Sequence, residues 1–500
     1  MFVLEECTVD SIRSAFENGE LTAYELVLQY MERIARYDKA GPMINSVLEL
    51  NPDALDIAEA MDRERKAGKI RSPLHGIPVL LKDNINTHDK LCTSAGSLAL
   101  TDNYAPYDAT VTRKLREAGL VVMGKANMTE LANFMSFTMK SGYSSRGGQV
   151  VNPYKPGAEV WGSSTGSAVA VAANFCALAV GTETDGSILA PSYINGTVGI
   201  KPTRGLVSRH GIIPVCIAQD TAGPMTRTVA DAAALLNVLA GEDEFDPSTW
   251  CRRDVIPRDY TAFLQTDGLK GIKVGINRGY YKDKAYHEVF DKEMIALAEK
   301  AFDVVGDCGA EVVQDTNLEH LKNDLNVMLY EFKKCLNAYL STNPSLKNGS
   351  LKKLIDFYGD HPREGLKYGM TLLQAAEYET SGTLTDPEYI LDRIACLRNS
   401  RENGIDRVMD EHNLDVLLCP GITDVAPVSG YPSVGVPAGY KKDGTPFGIT
   451  FVGRPFSEPV LIAAAYAYEQ ASKERRAPVF VQKKKRPSKD KGWLDLQKGR

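Results

Sequence analysis

The chain has 500 residues, a formal net charge of −6, 43% hydrophobic residues and 24% charged ones. That balance suits a globular enzyme with a large core and excludes a dedicated nucleic-acid binder. Nine cysteines with no C-x-x-C pair point to reduced thiols in the cytoplasm, not to a disulfide framework.

Read from the N-terminus, Met1–Cys7 has no basic segment followed by an apolar core, so no signal peptide is expected. Over Thr8–Arg36, Val9, Ile12, Ala15 and Phe16 recur at helical spacing, as do Leu26, Tyr30 and Ile34. Thr22, three residues before Glu25, has the form of a capping box. A further helix over Asn51–Ala67 ends before Gly68. The apolar run Gly76–Leu81 reads as a buried strand that closes on Lys82, with Asp83 and Asn84 following. A lysine there is either desolvated, and so able to shed its proton, or paired with Asp83 or water. His88 is either near such a site or on the surface. Val121–Gly124 reads as a strand, Thr129–Met135 as helix, and Ser167–Asn174 as a small-residue helix lying close to a sheet. The longest apolar stretch, Ala168–Val180, is interrupted by Asn174 and too short to span a bilayer.

The chemistry concentrates in two glycine- and serine-rich segments, W-G-S-S-T-G-S at 161–167 and G-T-E-T-D-G-S at 181–187. A serine hydroxyl needs a base to become a nucleophile, and a desolvated lysine can serve. Glycines let successive N–H groups point one way, as an oxyanion requires. The phosphate-cradling alternative is weak, since neither segment reads G-x-x-x-x-G-K-[ST] and no G-x-G-x-x-G opens a strand–helix unit. Seven histidines without paired-ligand spacing give no reason to expect a catalytic metal or cofactor. His210 falls in a turn, Ser208–Pro214. Asp220 and Thr221 are expected to support the core.

G-S-S-T-G-S at 162–167, G-T-E-T-D-G-S-I at 181–188 and G-I-K-P-T at 199–203 occur in that order, with Ser163 and Ser187 24 positions apart. With K-D-N at 82–84, Q-D-T-A-G-P-M-T at 219–226 and Y-P-S-V-G-V-P at 431–437, the chain resembles the amidase signature family of serine hydrolases. The likeness runs over roughly residues 5–475 and is strongest to peptide-amidase-type members. The resemblance implies an α/β fold, the amidase signature fold, with a central mixed β-sheet flanked on both faces by α-helices. It also implies a Ser–cis-Ser–Lys triad. Ser187 would be acylated, Ser163 beside a cis peptide would relay the proton, and Lys82 would be the base. The N–H groups of Thr184, Asp185, Gly186 and Ser187 would form the oxyanion hole.

Three residues depart from the family pattern: Trp161, Thr165 and Asp185 stand where glycine is common. Trp161 either narrows the pocket or packs in the core. The side chain of Asp185 is expected to point away from a developing oxyanion. Apolar Ile188, Leu189 and Ala190 replace the arginine of many members, which argues against a small dicarboxylate-derived amide. Arg146, Trp161 and Leu189 are the candidates for substrate contact, Arg146 with a structural ion pair as its other reading.

Later in the chain, Gly271–Ile276 and Asp415–Cys419 read as core strands, and about 317–399 as helical. Tyr330, Phe332, Tyr339, Phe357 and Tyr368 there either line an acyl pocket or belong to the core. The organisation expected is one catalytic domain over 1–482, followed by a basic solvated tail at 483–500. The domain comprises N-terminal helices at 8–67, a signature core at 75–240, the helical substrate-facing region at about 317–399, and a C-terminal core at 400–475. The leading reading is an amidase acting on a small-molecule or peptide amide, without nucleic acid or membrane, a homodimer being left open. The alternatives are the glutaminase subunit of a tRNA-dependent amidotransferase and a non-catalytic binding protein on the same fold.

Overall fold

The computed structural model describes residues 2–250, 256–282, 290–319, 321 and 324–480. The tail expected at 483–500 lies outside the described residues. Local chemistry sets the first helices. Thr8 and Thr22 each accept the N–H three residues on, and Ser11 and Glu25 return the bond, closing capping boxes ahead of helices Val9–Glu17 and Ala23–Arg33. The residues at helical spacing, among them Ile12, Phe16, Leu26 and Tyr30, are the buried ones. A third helix, Ala54–Lys66, precedes Gly68, whose φ is +75°.

The described residues form thirteen strands, numbered in chain order. The first five are β1 (Val47–Leu50), β2 (Pro78–Lys82), β3 (Val121–Ala126), β4 (Tyr143–Ser144) and β5 (Gly148–Gln149). Next come β6 (Leu178–Glu183), β7 (Val198–Lys201), β8 (Thr221–Thr226) and β9 (Lys273–Ile276). The last are β10 (Glu311–Val313), β11 (Val416–Pro420), β12 (Ser433–Tyr440) and β13 (Pro446–Val452). β4 and β5 form a hairpin; the other eleven make one sheet in the order β1-β3-β2-β6-β8-β7-β12-β13-β11-β9-β10. β3, β2 and β6 run parallel, as do β11, β9 and β10, while the strands between pair antiparallel. The sheet is therefore mixed.

Every residue of β2, β3, β6, β8, β11 and β13 is buried, so these strands read as continuous apolar runs without alternation. That is the mark of a sheet covered on both faces, here by helices including Thr165–Ala172, Val229–Leu239 and Glu458–Ser472. The strands expected at 121–124, 271–276 and 415–419 are β3, β9 and β11. The helical region forms helices Asp324–Leu340, Leu351–Asp360, Thr371–Tyr378 and Pro387–Ser400. These build a second apolar cluster with Leu100, Met128, Leu131 and Ile213, from the loops that flank the strand ends.

One expected helix is absent. Thr129–Met135 is a tight turn in which Leu131, Ala132 and Asn133 have φ of 46°, 56° and 72°. Tertiary contacts override the helical pattern there: Leu131 N–H donates to Ala95 O, and the Glu130 carboxylate is held by Ser145 and Tyr358.

The small-residue helix, expected at 167–174, runs Thr165–Ala172 and is buried throughout. Its closeness to the sheet depends on Gly166, where a Cβ would stand 2.2 Å from Asn127 O and 2.4 Å from Ser46 O. Neither backbone oxygen can yield as a side chain would. Gly166→Ala should therefore destabilise the fold by about 3 kcal/mol, read as a lower denaturant midpoint. An unchanged midpoint would contradict this account of the packing.

Candidate active site

The carboxyl ends of β2 and β6 lie side by side, and each apolar strand ends on an ionisable residue. Lys82 ends β2 fully buried, at 0% exposure. Its Nζ donates to Ser163 Oγ at 2.7 Å and to the Thr182 carbonyl of β6 at 3.0 Å. Burial drives its pKa from 10.5 down to about 7, against the opposing pull of Asp220 and Glu183. An amine so placed is available in its neutral form near neutral pH, and can accept the proton of Ser163.

Ser163 follows a cis peptide with Gly162, and its carbonyl accepts the Thr129 N–H at 3.1 Å. Gly162 is required by the same loop, since a Cβ there would meet Thr129 Oγ1 at 2.2 Å. Ser164 ties the loop to both neighbours. Its hydroxyl donates to Thr182 O at 2.9 Å and its N–H to Ser187 O at 3.1 Å. Ser187 is buried at 6% exposure, and its Oγ makes no hydrogen bond among the described residues.

Glu183, at the end of β6, shapes the turn that carries Ser187. One carboxylate oxygen accepts the N–H groups of Ile188 (2.7 Å) and Leu189 (3.0 Å), and Gly186 N–H is drawn to the same group. The N–H groups of Thr184, Asp185 and Ser187 make no hydrogen bond among the described residues, which leaves three adjacent donors for an incoming anion. Thr184 is fixed from both sides. Its hydroxyl donates to Asp220, and its carbonyl accepts from Gln219 Nε2 at 3.2 Å. Asp220 also accepts Val215 N–H (2.9 Å) and Cys216 N–H (3.0 Å), while burial lifts its pKa to about 6.

The departures fall out differently. Asp185 is reached by solvent yet crowded by protein. That crowding and the nearby Asp324, Asp424 and Glu183 raise its carboxyl well above the usual range. Trp161 is half-buried and stacks on Tyr193 at 5.2 Å, as packing would have it. Arg146 pairs with Glu49 and, at 3.5 Å, with Asp83, so its guanidinium braces the residue after Lys82. Leu189 is 1% exposed and packs toward Gly435, inside the core rather than on an open wall. His88 is exposed. Of the five aromatic candidates, Tyr339 lines a cavity, Phe332 packs on Phe134, and Tyr368 meets Tyr143 edge-on at 5.0 Å.

That cavity, of about 530 Å³, is bounded by Asn84, Thr182, Thr184 and Asp220 at one end, while Lys82, Ser163 and Ser187 are not in its wall. Sequence reasoning passed over Glu183 and set Asp220 down as core support. The usable signal was an acid closing an apolar strand, the same signal that marked Lys82.

The family model described as Amidase matches residues 25–427. A probable amidase from Arabidopsis thaliana is 40% identical over 495 residues, spanning 96% of this chain and 93% of its own. The native peptide amidase from Stenotrophomonas maltophilia has a similar structure, with a TM-score of 0.89 at 44% identity, covering 96% of this chain and 100% of that one. A glutamyl-tRNA(Gln) amidotransferase subunit from Cereibacter sphaeroides is 36% identical over 430 residues, 83% of this chain and 82% of its own.

The lowered pKa has a direct consequence. Below about 7 Lys82 gains a proton and can no longer accept one, so reactivity that depends on it falls with pH. Labelling of the protein by a serine-directed fluorophosphonate should rise with pH and level off above about 7. In Asp220→Asn, with one carboxylate gone, the midpoint should move to lower pH. A midpoint that stays put would deny Asp220 its influence on the lysine.

Proposed function

The chain belongs to the amidase family and is an amidase, and we propose that it hydrolyses a linear carboxylic amide through an acyl-enzyme on Ser187. The observation that carries this reading is the buried Lys82 amine, 2.7 Å from Ser163 Oγ, beside a turn in which the N–H groups of Thr184, Asp185 and Ser187 are free. Neutral Lys82 takes the proton of Ser163 as Ser163 takes that of Ser187, and Ser187 Oγ attacks the carbonyl. Thr184, Asp185 and Ser187 offer their N–H groups to the oxyanion, while Gly186, expected among them, has its N–H drawn to Glu183 instead. The proton returns through Ser163 to the departing nitrogen, and water then releases the acid by the same relay.

The free-standing enzyme is favoured over the glutaminase subunit by the residues that follow the nucleophile. Ile188, Leu189 and Ala190 are apolar and buried, and give no cation to hold a glutamine carboxylate. The likeness to an amidotransferase component keeps glutamine in the test. All eight described cysteines are free thiols, which suits the reducing cytoplasm we assign to the protein. Among the described residues, no helix is long and apolar enough to cross a membrane.

The purified single chain should release amine or ammonia from one or more of a panel of aliphatic amides, anilides and peptide C-terminal amides. Ser187→Ala should abolish that turnover in a folded protein, by about 10⁴-fold or more. Lys82→Ala should lose about 10²- to 10⁴-fold, with part regained at high pH. Turnover of glutamine alone would favour the amidotransferase reading. Full activity in a folded Ser187→Ala protein would sink the assignment.

A further inference from the structure

The cavity of about 530 Å³ has one end built from the neighbours of the proton relay. Thr182, in its wall, is the residue whose carbonyl holds Lys82 Nζ at 3.0 Å. Asn84, two residues beyond Lys82, is also in the wall and donates to Thr182 Oγ1 at 3.0 Å. Thr184 adds the first residue of the free N–H run. The cavity thus begins on the lysine side of the site.

That side has a chemical meaning. Acylation forms the Ser187 Oγ–carbonyl bond, breaks the carbon–nitrogen bond and delivers the serine proton to the departing nitrogen. The group that delivers the proton must lie within hydrogen-bond reach of that nitrogen. Whatever the nitrogen carries therefore extends past the relay, toward Thr182 and Asn84, while the acyl chain leaves the carbonyl in another direction.

The lining sets the character of that substituent. Beyond the relay the walls include Ile212, Ile213, Val215, Ala338, Tyr339 and Leu384. Three of the charged groups there are engaged: Arg209 donates to Asp246 at 2.8 Å, and Asp220 accepts from Thr184, Val215 and Cys216. Lys334, exposed in the wall, would oppose a cation. The space is far larger than ammonia needs, which is close to the roughly 30 Å³ of a water molecule, and it falls within the range of about 300–1,000 Å³ typical of small-molecule pockets.

We propose that this cavity is the leaving-amine subsite, and that the substrates of this chain are secondary amides of bulky, uncharged amines, arylamines or branched alkylamines. The inference rests on the Ser187 amidase reading. An arylamine suits the site best, because it stays uncharged after release.

The test is a matched series on one acyl group: primary amide, methylamide, isopentylamide and anilide. The isopentylamide and methylamide have leaving groups of similar basicity, so their ratio of kcat/KM reports the subsite. That ratio should be about tenfold or more in the native enzyme. It should fall by about tenfold in Ala338→Trp, and likewise in Ile217→Trp, two exposed wall positions where a larger side chain would fill the cavity. Ser187-dependent hydrolysis of the primary amide and methylamide, with a ratio near one that neither variant changes, would overturn the inference and leave the amidase reading standing. Ser187-independent turnover, or none on any amide, would overturn both.

Discussion

The site depends on one buried amine. A shift from 10.5 to about 7 at Lys82 corresponds to about 5 kcal/mol of preference for the neutral form. That preference comes from removing water, because the charges that bear on the lysine, Asp220 and Glu183, act the other way. The strand arrangement removes the water. β2 lies between β3 and β6, every residue of the three is buried, and Lys82 is the last residue of β2.

Two buried acids stand near this amine without pairing with it. Glu183 is occupied by the N–H groups of Ile188 and Leu189, and Asp220 by Thr184, Val215 and Cys216. Had either carboxylate closed on Lys82, its pull would have restored the ammonium and removed the base. Their backbone partners therefore do two things at once. They satisfy charges that burial would otherwise make costly, and they hold the Ser187 turn and Thr184 in place. Lys201, buried and lowered to about 8, is a cation that bears on Glu183.

Much of this was legible in the sequence, and what was not has a physical cause. The helices at 9–17, 23–33 and 54–66 follow from spacing and caps within the segment itself. The strands β2, β3, β9 and β11 follow from apolar runs bounded by turn residues. The spacing of Ser163 and Ser187 and the lysine closing β2 mark the candidate site in the sequence itself. The turn at 129–135 was missed because its pattern is helical and its conformation is imposed from outside, by Ala95, Ser145 and Tyr358. Arg146 had two readings because a lone arginine in a loop does not name its partners. Glu49, in β1, and Asp83, just past β2, engage it from far along the chain. Glu183 escaped notice, and Asp220 was read only as core support, because they act mainly on backbone N–H groups, which sequence does not distinguish.

Asp185 shows how a residue that looks wrong for a site can be tolerated there. A carboxylate beside the free N–H groups of Thr184, Asp185 and Ser187 would repel an anion brought to them. The sequence suggested turning the side chain away as the remedy. Electrostatics supply another: protein crowds the carboxyl, and Asp324, Asp424 and Glu183 add like charge, so all four influences favour the protonated acid. No described residue offers a cation or a hydrogen-bond donor to hold the ionised form. A carboxyl biased toward its neutral form opposes its own N–H, and those of Thr184 and Ser187, less than a carboxylate would. The cluster of acids around Asp185 thus itself works against the ionisation of that side chain.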